Sequence, residues 1–152
     1  MSKTGILGGL SRTHIVLWLA LGAAPGCATT ASGPAFARAP LPPGKGVIYI
    51  YRPSAMSGGA RTIFISVPFE ANNCYALEGD GFFTHVTDPG RINVAASGSG
   101  DAAKLPVSVA PGQEKYVRVE WGTWGSAEMT EVSAQEGSAQ ISGMRGIAAC
   151  SN

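Results

Sequence analysis

Asp80, His85 and Asp88 are residues of the types that build a hydrolytic triad around a serine. None of the serines of this chain lies in a Gly-x-Ser-x-Gly turn ahead of a helix, so no nucleophile elbow completes the set. A metal at His85 would have to recruit Cys74 or the two aspartates, yet there is no Cys-x-x-Cys, no histidine pair and no helical spacing of ligands. No metal and no cofactor are expected. Position 85 shares a strand face with Phe83 and reads as a partly exposed cross-strand residue. Ser97-Gly98-Ser99-Gly100-Asp101 lacks the Gly-Lys-Ser/Thr ending of a phosphate loop. The glutamates, from Glu70 to Glu136, fall at turns or outward strand positions and read as solvated charge. Aromatic chemistry is the stronger candidate. Trp121 and Trp124 flank Gly122-Thr123, and with Tyr116 they form a possible platform for a sugar or a peptide. Trp121 also continues the Val117-Val119 face, which makes core packing the competing role.

The elements that would position these residues are short. With 11 Lys+Arg against 10 Asp+Glu in 152 residues the chain lacks the basic excess of a nucleic-acid binder. At 14% charged, 45% hydrophobic, 21 Gly and 10 Pro, it is too apolar for wholesale disorder and too rich in turn formers for a helical bundle. From Gly46 onward apolar residues recur with period two between Gly, Pro, Asn and Asp. The expected strands are 47–52, 61–67, 73–77, 81–86, 91–97, 104–109, 114–121 and 127–133. Eight such strands with connections too short for crossover helices predict an all-β fold, a small antiparallel β-sandwich. The stretch 136–143 is either a short helix or another strand. Val47-Ile48-Tyr49-Ile50-Tyr51 is apolar on both faces and predicts a central strand, ended by Arg52-Pro53.

Pro89-Gly90 and Pro111-Gly112 suit type II turns inside two similar strand-turn-strand units. Asp80-Gly81 predicts a hairpin tip with positive φ, and Ser57-Gly58-Gly59 another turn.

Residues 1–26 read as an export signal, with Lys3 and Arg12 ahead of the apolar run Ile15–Leu21. Only 14 residues separate Arg12 from Cys27, against the roughly 20 that a spanning helix needs. The ending Ala23-Ala24-Pro25-Gly26-Cys27 resembles the lipobox of bacterial lipoproteins, with Ala24 where such boxes usually carry leucine. The resemblance implies an acylated Cys27 as the mature N-terminus, and Ala28 after it implies the outer membrane. Residues 27–45, rich in Pro and Ala, would then be a tether reaching about 60 Å in polyproline conformation, less where Phe36 and Leu41 pack back on the domain. With Cys27 taken by lipid, Cys74 and Cys150 remain as an even pair, and in an oxidising periplasm they are expected to form one disulfide. His85 is then the only histidine of the mature chain.

Tyr49-Ile50-Tyr51-Arg52-Pro53, Gly81-Phe82-Phe83, Asp88-Pro89-Gly90 and Pro111-Gly112 before Tyr116-Val117 together resemble an uncharacterised family of proteobacterial lipoproteins with a domain of unknown function. The likeness covers roughly residues 44–143. It implies an envelope location and a small β fold, and it carries no activity. The expected organisation is a signal peptide (1–26), a tether (27–45) and a β-sandwich (46–152). The expected role is a non-enzymatic interaction module on the periplasmic face of the outer membrane. Its partner would be an envelope protein or a glycan, and no nucleic acid; ligand binding and, less favoured, an envelope hydrolase are the alternatives.

Overall fold

A computed structural model describes residues 30–54, 61–68 and 74–150. Residues 1–29, and with them the signal peptide and Cys27, lie outside the described residues, as does Ser57-Gly58-Gly59. The fold is a two-sheet sandwich of β1 (Gly46–Arg52), β2 (Ile63–Ser66), β3 (Tyr75–Leu77), β4 (Gly81–Thr87), β5 (Gly90–Ser97), β6 (Ala103–Val109), β7 (Glu114–Trp121), β8 (Ala127–Val132) and β9 (Arg145–Gly146), with one helix, α1 (Ala134–Ile141). The strand order is β8-β7-β1-β4-β9 in one sheet and β3-β2-β5-β6 in the other. The eight expected strands all form. The undecided stretch 136–143 is helical over most of its length, and β9, only two residues long, left no periodic signal to read.

β1 is central, as its two-sided apolarity required: β7 and β4 flank it, and all seven residues are buried. Ile48 and Ile50 face the second sheet and pack with Ile63, Ile65, Val94, Val107, Val117 and Val119. Val47, Tyr49 and Tyr51 face the other way, into a smaller core with Phe82, Tyr116, Ile141 and Met144. Most strand pairs are antiparallel, but β1 pairs with β7 in parallel register. Direction follows from parity. Each strand from β1 to β8 reverses the one before it, so β7, six reversals after β1, points the same way when the two meet side by side.

The turns mostly do different work from that expected. β3 to β4, β4 to β5 and β6 to β7 each pass from one sheet to the other, so Pro89-Gly90 and Pro111-Gly112 turn corners of the sandwich and do not close hairpins. Gln113 N donates to Ala110 O at 3.1 Å and Gly112 has φ +73°, as a type II turn requires. Gly90 has φ +150°, far from the +80° of that turn type, and the chain bends at Pro89. Asp80 adopts φ +52° in a turn closed by Gly81 N donating to Glu78 O.

The described part of the expected tether is not a free spacer. Ala31 N donates to Gly79 O, Gly33 N and Gly146 O pair, Gly146 N and Pro34 O pair, and Phe36 N donates to Met144 O. Phe36 meets Tyr49 and Phe82 edge-on with ring centroids 5.3 and 5.2 Å away, and Ala39 and Leu41 join the same core. The physical reason is that four prolines and an extended backbone leave Phe36 and Leu41 free to cover tyrosines that would otherwise face water. Residues 30–45 are therefore a strap on the outer face of the first sheet.

The helix covers the rest of that face. Ser133 caps it, its Oγ accepting from Glu136 N at 3.2 Å, in a Ser-x-x-Glu pattern. Gly137 is buried against Tyr116, and a Cβ built there would overlap Tyr116 Cβ and Cγ. Gly137→Ala should thus invert the usual helix preference. An alanine normally stabilises a helix interior by about 1 kcal/mol over glycine, whereas here overpacking is expected to cost about 1–3 kcal/mol. Urea unfolding of the variant checks this, and a raised midpoint would show that α1 can stand off from Tyr116.

Candidate functional site

Strand direction brings one set of loops to one end of the sandwich. Arg52 ends β1 opposite Gly81, Trp121 ends the parallel β7, Ala127 opens β8 opposite Trp121, and the 98–102 loop follows β5. The two tryptophans separate here. Trp121 is half-buried against the inner core, with Arg52 Cζ 5.9 Å and Arg61 Cζ 5.7 Å from its ring centroid. A Cβ on Gly98 would come within 2.5 Å of that ring, so the chain at 98 is moulded to the indole. Trp121 is a packing residue.

Arg52 is the last residue of β1. It is 1% exposed, and its Nη1 donates to Arg61 O at 2.5 Å and Leu77 O at 3.2 Å, joining the end of β1 to the second sheet. Burial lowers its pKa from the ordinary arginine value. Beside it, the Ser54 hydroxyl and backbone N–H both donate to Asp80.

Trp124 is the opposite case, 99% exposed in the turn Thr123–Gly125. Its backbone is left-handed, φ +64° and ψ +17°, a conformation that costs a bulky residue free energy. Gly122 N donating to Ser126 O at 2.9 Å closes the loop, and Ser99 N donating to Gly125 O at 3.3 Å ties it to its neighbour. The loop therefore presents the indole on a fixed frame. Tyr116, the third expected member of the platform, is 1% exposed on the outer face of the first sheet, its hydroxyl donating to Glu114 at 2.9 Å. The expected platform of Tyr116, Trp121 and Trp124 does not assemble; Trp124 alone of the three lies on the surface.

The other candidates are kept apart by the same geometry. Asp80 and Asp88 bracket β4, whose length sets them roughly 25 Å apart. His85 is 4% exposed, facing the interior with Phe83, ring centroids 6.5 Å apart, so its expected partial exposure is not found. The shared face was legible; the depth was not, because it depends on the second sheet. Near the Gly46 end His85 lines a cavity of about 510 Å³ with Ile92, Arg91 and the Lys45–Asp88 ion pair, whose atoms lie 2.6 Å apart. Among the described residues no group of three or more His, Cys, Asp or Glu side chains could hold a metal.

A second groove, of about 580 Å³, runs beside the strap between Ala31–Pro34, Phe64 and Gly146–Cys150. At its edge Cys74 and Cys150 form a disulfide with Cα atoms 5.5 Å apart, as the sequence led us to expect. Cys150 N donates to Cys74 O at 2.9 Å, and Tyr75 bridges Ala149, so the C-terminal tail continues the β3 edge. What the sequence did not signal is that Thr30 pairs with Gly79, at the same end of the sandwich as Trp124. No family model, no curated protein and no solved structure matches this chain.

Proposed function

We propose that this protein is exported, acylated at Cys27 and held on the periplasmic face of the outer membrane as a non-enzymatic interaction module. The observation that supports it best is the Cys74–Cys150 disulfide. Disulfides persist in oxidising compartments, and this pairing leaves Cys27 as the odd cysteine, at the end of an apolar leader too short to span a bilayer. Three acyl chains on one residue exceed the two signals needed for stable anchoring.

A non-catalytic role is supported by the dispersal of Asp80, His85 and Asp88, which the length of β4 and the burial of His85 keep apart. The test is intact mass and labelled-palmitate incorporation of the chain expressed in a Gram-negative host. The wild type is expected to lose residues 1–26, to take up label and to fractionate with the outer membrane. Cys27→Ala is expected to lose label and the membrane fraction together. A Cys27→Ala chain that remained wholly membrane-bound, or a native product with a bare N-terminus, would overturn the proposal.

A further inference from the structure

Three features meet at the Arg52 end of the sandwich: Thr30 of the strap, the turn 78–81 that it pairs with, and the fully exposed Trp124. We propose that this end rests on the bilayer with Trp124 seated in the phospholipid headgroup layer. The inference rests on the lipid-anchored reading above, which supplies the membrane.

Three residues from Cys27 to Thr30 span at most about 10 Å even when fully extended. Thr30 is fixed to Gly79, so an acylated Cys27 holds the 78–81 turn at the membrane surface and leaves almost no free tether. Trp124 emerges from the β7–β8 connection, and β9 lies three strands from β7 in the same sheet, a separation of about 14 Å at ~4.8 Å per strand. The lipid and the indole are thus two contact points on opposite sides of one face, and two points restrict the tilt that one tether permits. Tryptophan suits this place because its ring is apolar and its N–H is polar, the reason for its enrichment at bilayer interfaces. A partner protein is a poorer occupant because the strap brings the same end within reach of the headgroups.

Charge is not the driving force. Arg61 and Arg145 at this end are opposed by Glu78, Asp80 and Asp101, so the contact should be insensitive to salt.

The experiment uses the acylated, processed protein reconstituted in phosphatidylethanolamine–phosphatidylglycerol vesicles containing a phospholipid brominated high on its acyl chain. Of the two tryptophans left after processing, Trp121 is packed and Trp124 exposed. Bromolipid is therefore expected to remove about half the emission, Trp124's share, equally at low and high salt. In Trp124→Phe, a change at a position with no packing to lose, the remaining emission is expected to be unquenched. Protein that floats with the vesicles yet is unquenched, or is quenched equally in Trp124→Phe, overturns the membrane seat of Trp124 while leaving the anchor intact; the first outcome would assign the indole to a protein partner. Protein that carries no acyl mass and does not float overturns the anchored reading, and this inference with it.

Discussion

Replacing both Cys74 and Cys150 by alanine is expected to lower the unfolding free energy by about 4 kcal/mol, the chain-entropy value for a loop of this size. The two residues are 76 apart in sequence, so the bond restricts most of the domain's unfolded chain while touching little of the folded one. The native state should survive the loss. The tail keeps its Cys150 N to Cys74 O hydrogen bond and its Tyr75–Ala149 bridge, and β3 keeps its register with β2. Urea unfolding should show the effect as a lower midpoint together with a steeper slope, because a cross-link-free unfolded state exposes more surface. A double variant within about 1 kcal/mol of the wild type would mean that the unfolded chain is already compact around this pair. Against a typical total of 5–15 kcal/mol the loss is large, so a chain kept in a reducing compartment would be much less stable than its oxidised form. Oxidation and stability are in this sense coupled through one bond.

The strands were legible because each carries its own evidence. VIYIYR has no polar face, and in 114–121 the face of Val117 and Val119 is buried while Glu120 on the other is exposed; Tyr116, on the face of Glu120, is buried because α1 and the strap cover it. Trp121 could be assigned to the core from its place in that alternation, and the structure agrees. What local patterning does not encode is which strand lies beside which. The passage of β4 to the other sheet at Pro89-Gly90, the parallel meeting of β1 and β7 and the depth of His85 all depend on partners distant in sequence. The strap was legible only in part, for a related reason: Phe36 and Leu41 pack back on the domain as the sequence allowed, but the backbone pairing of residues 31–36 carried no signal. A Pro-rich segment with two apolar residues has no periodicity, and only the exposed tyrosine face it covers gives it a docking place. That face was visible in the sequence as the outer side of β1, which needed a cover that eight strands do not supply. Among the three aromatic candidates, Trp124 alone has the exposure that binding requires, and the signal in the sequence was the turn-forming Gly122-Thr123 that the two tryptophans flank.

The same covered face should make the protein unfold in alkali well before backbone chemistry intervenes. Tyr51 and Tyr116 are fully buried, and their phenols are each pushed up to about 12. Loss of hydration is the leading cause for both. For Tyr116 the next is its hydrogen bond to the Glu114 carboxylate, which favours the protonated donor. Tyr51 donates to Gln140 Oε1 at 2.5 Å, linking β1 to α1. Tyr49, raised in the same direction by burial, accepts from Ala39 N of the strap at 3.0 Å. A group whose folded pKa lies above its unfolded value contributes stability that is complete below the unfolded pKa, near 10, and is lost as pH climbs through the folded one. At about 1.4 kcal/mol per pH unit per group, two tyrosines displaced by two units withdraw on the order of 5 kcal/mol between pH 10 and 12. That approaches the whole stability of a small domain. Phenolate absorbance and far-ultraviolet circular dichroism, followed together, should therefore change in one cooperative step on the alkaline side of pH 10, with the strap and α1 released from the tyrosine face. Tyr51→Phe separates this account from general alkaline damage. It forfeits one hydrogen bond, about 1 kcal/mol at neutral pH, yet removes half of the alkaline dependence, so its stability should cross above that of the wild type as pH approaches 12. Parallel pH curves for the two proteins, or phenols that ionise near 10 while the fold persists, would show that water reaches this face beneath the strap.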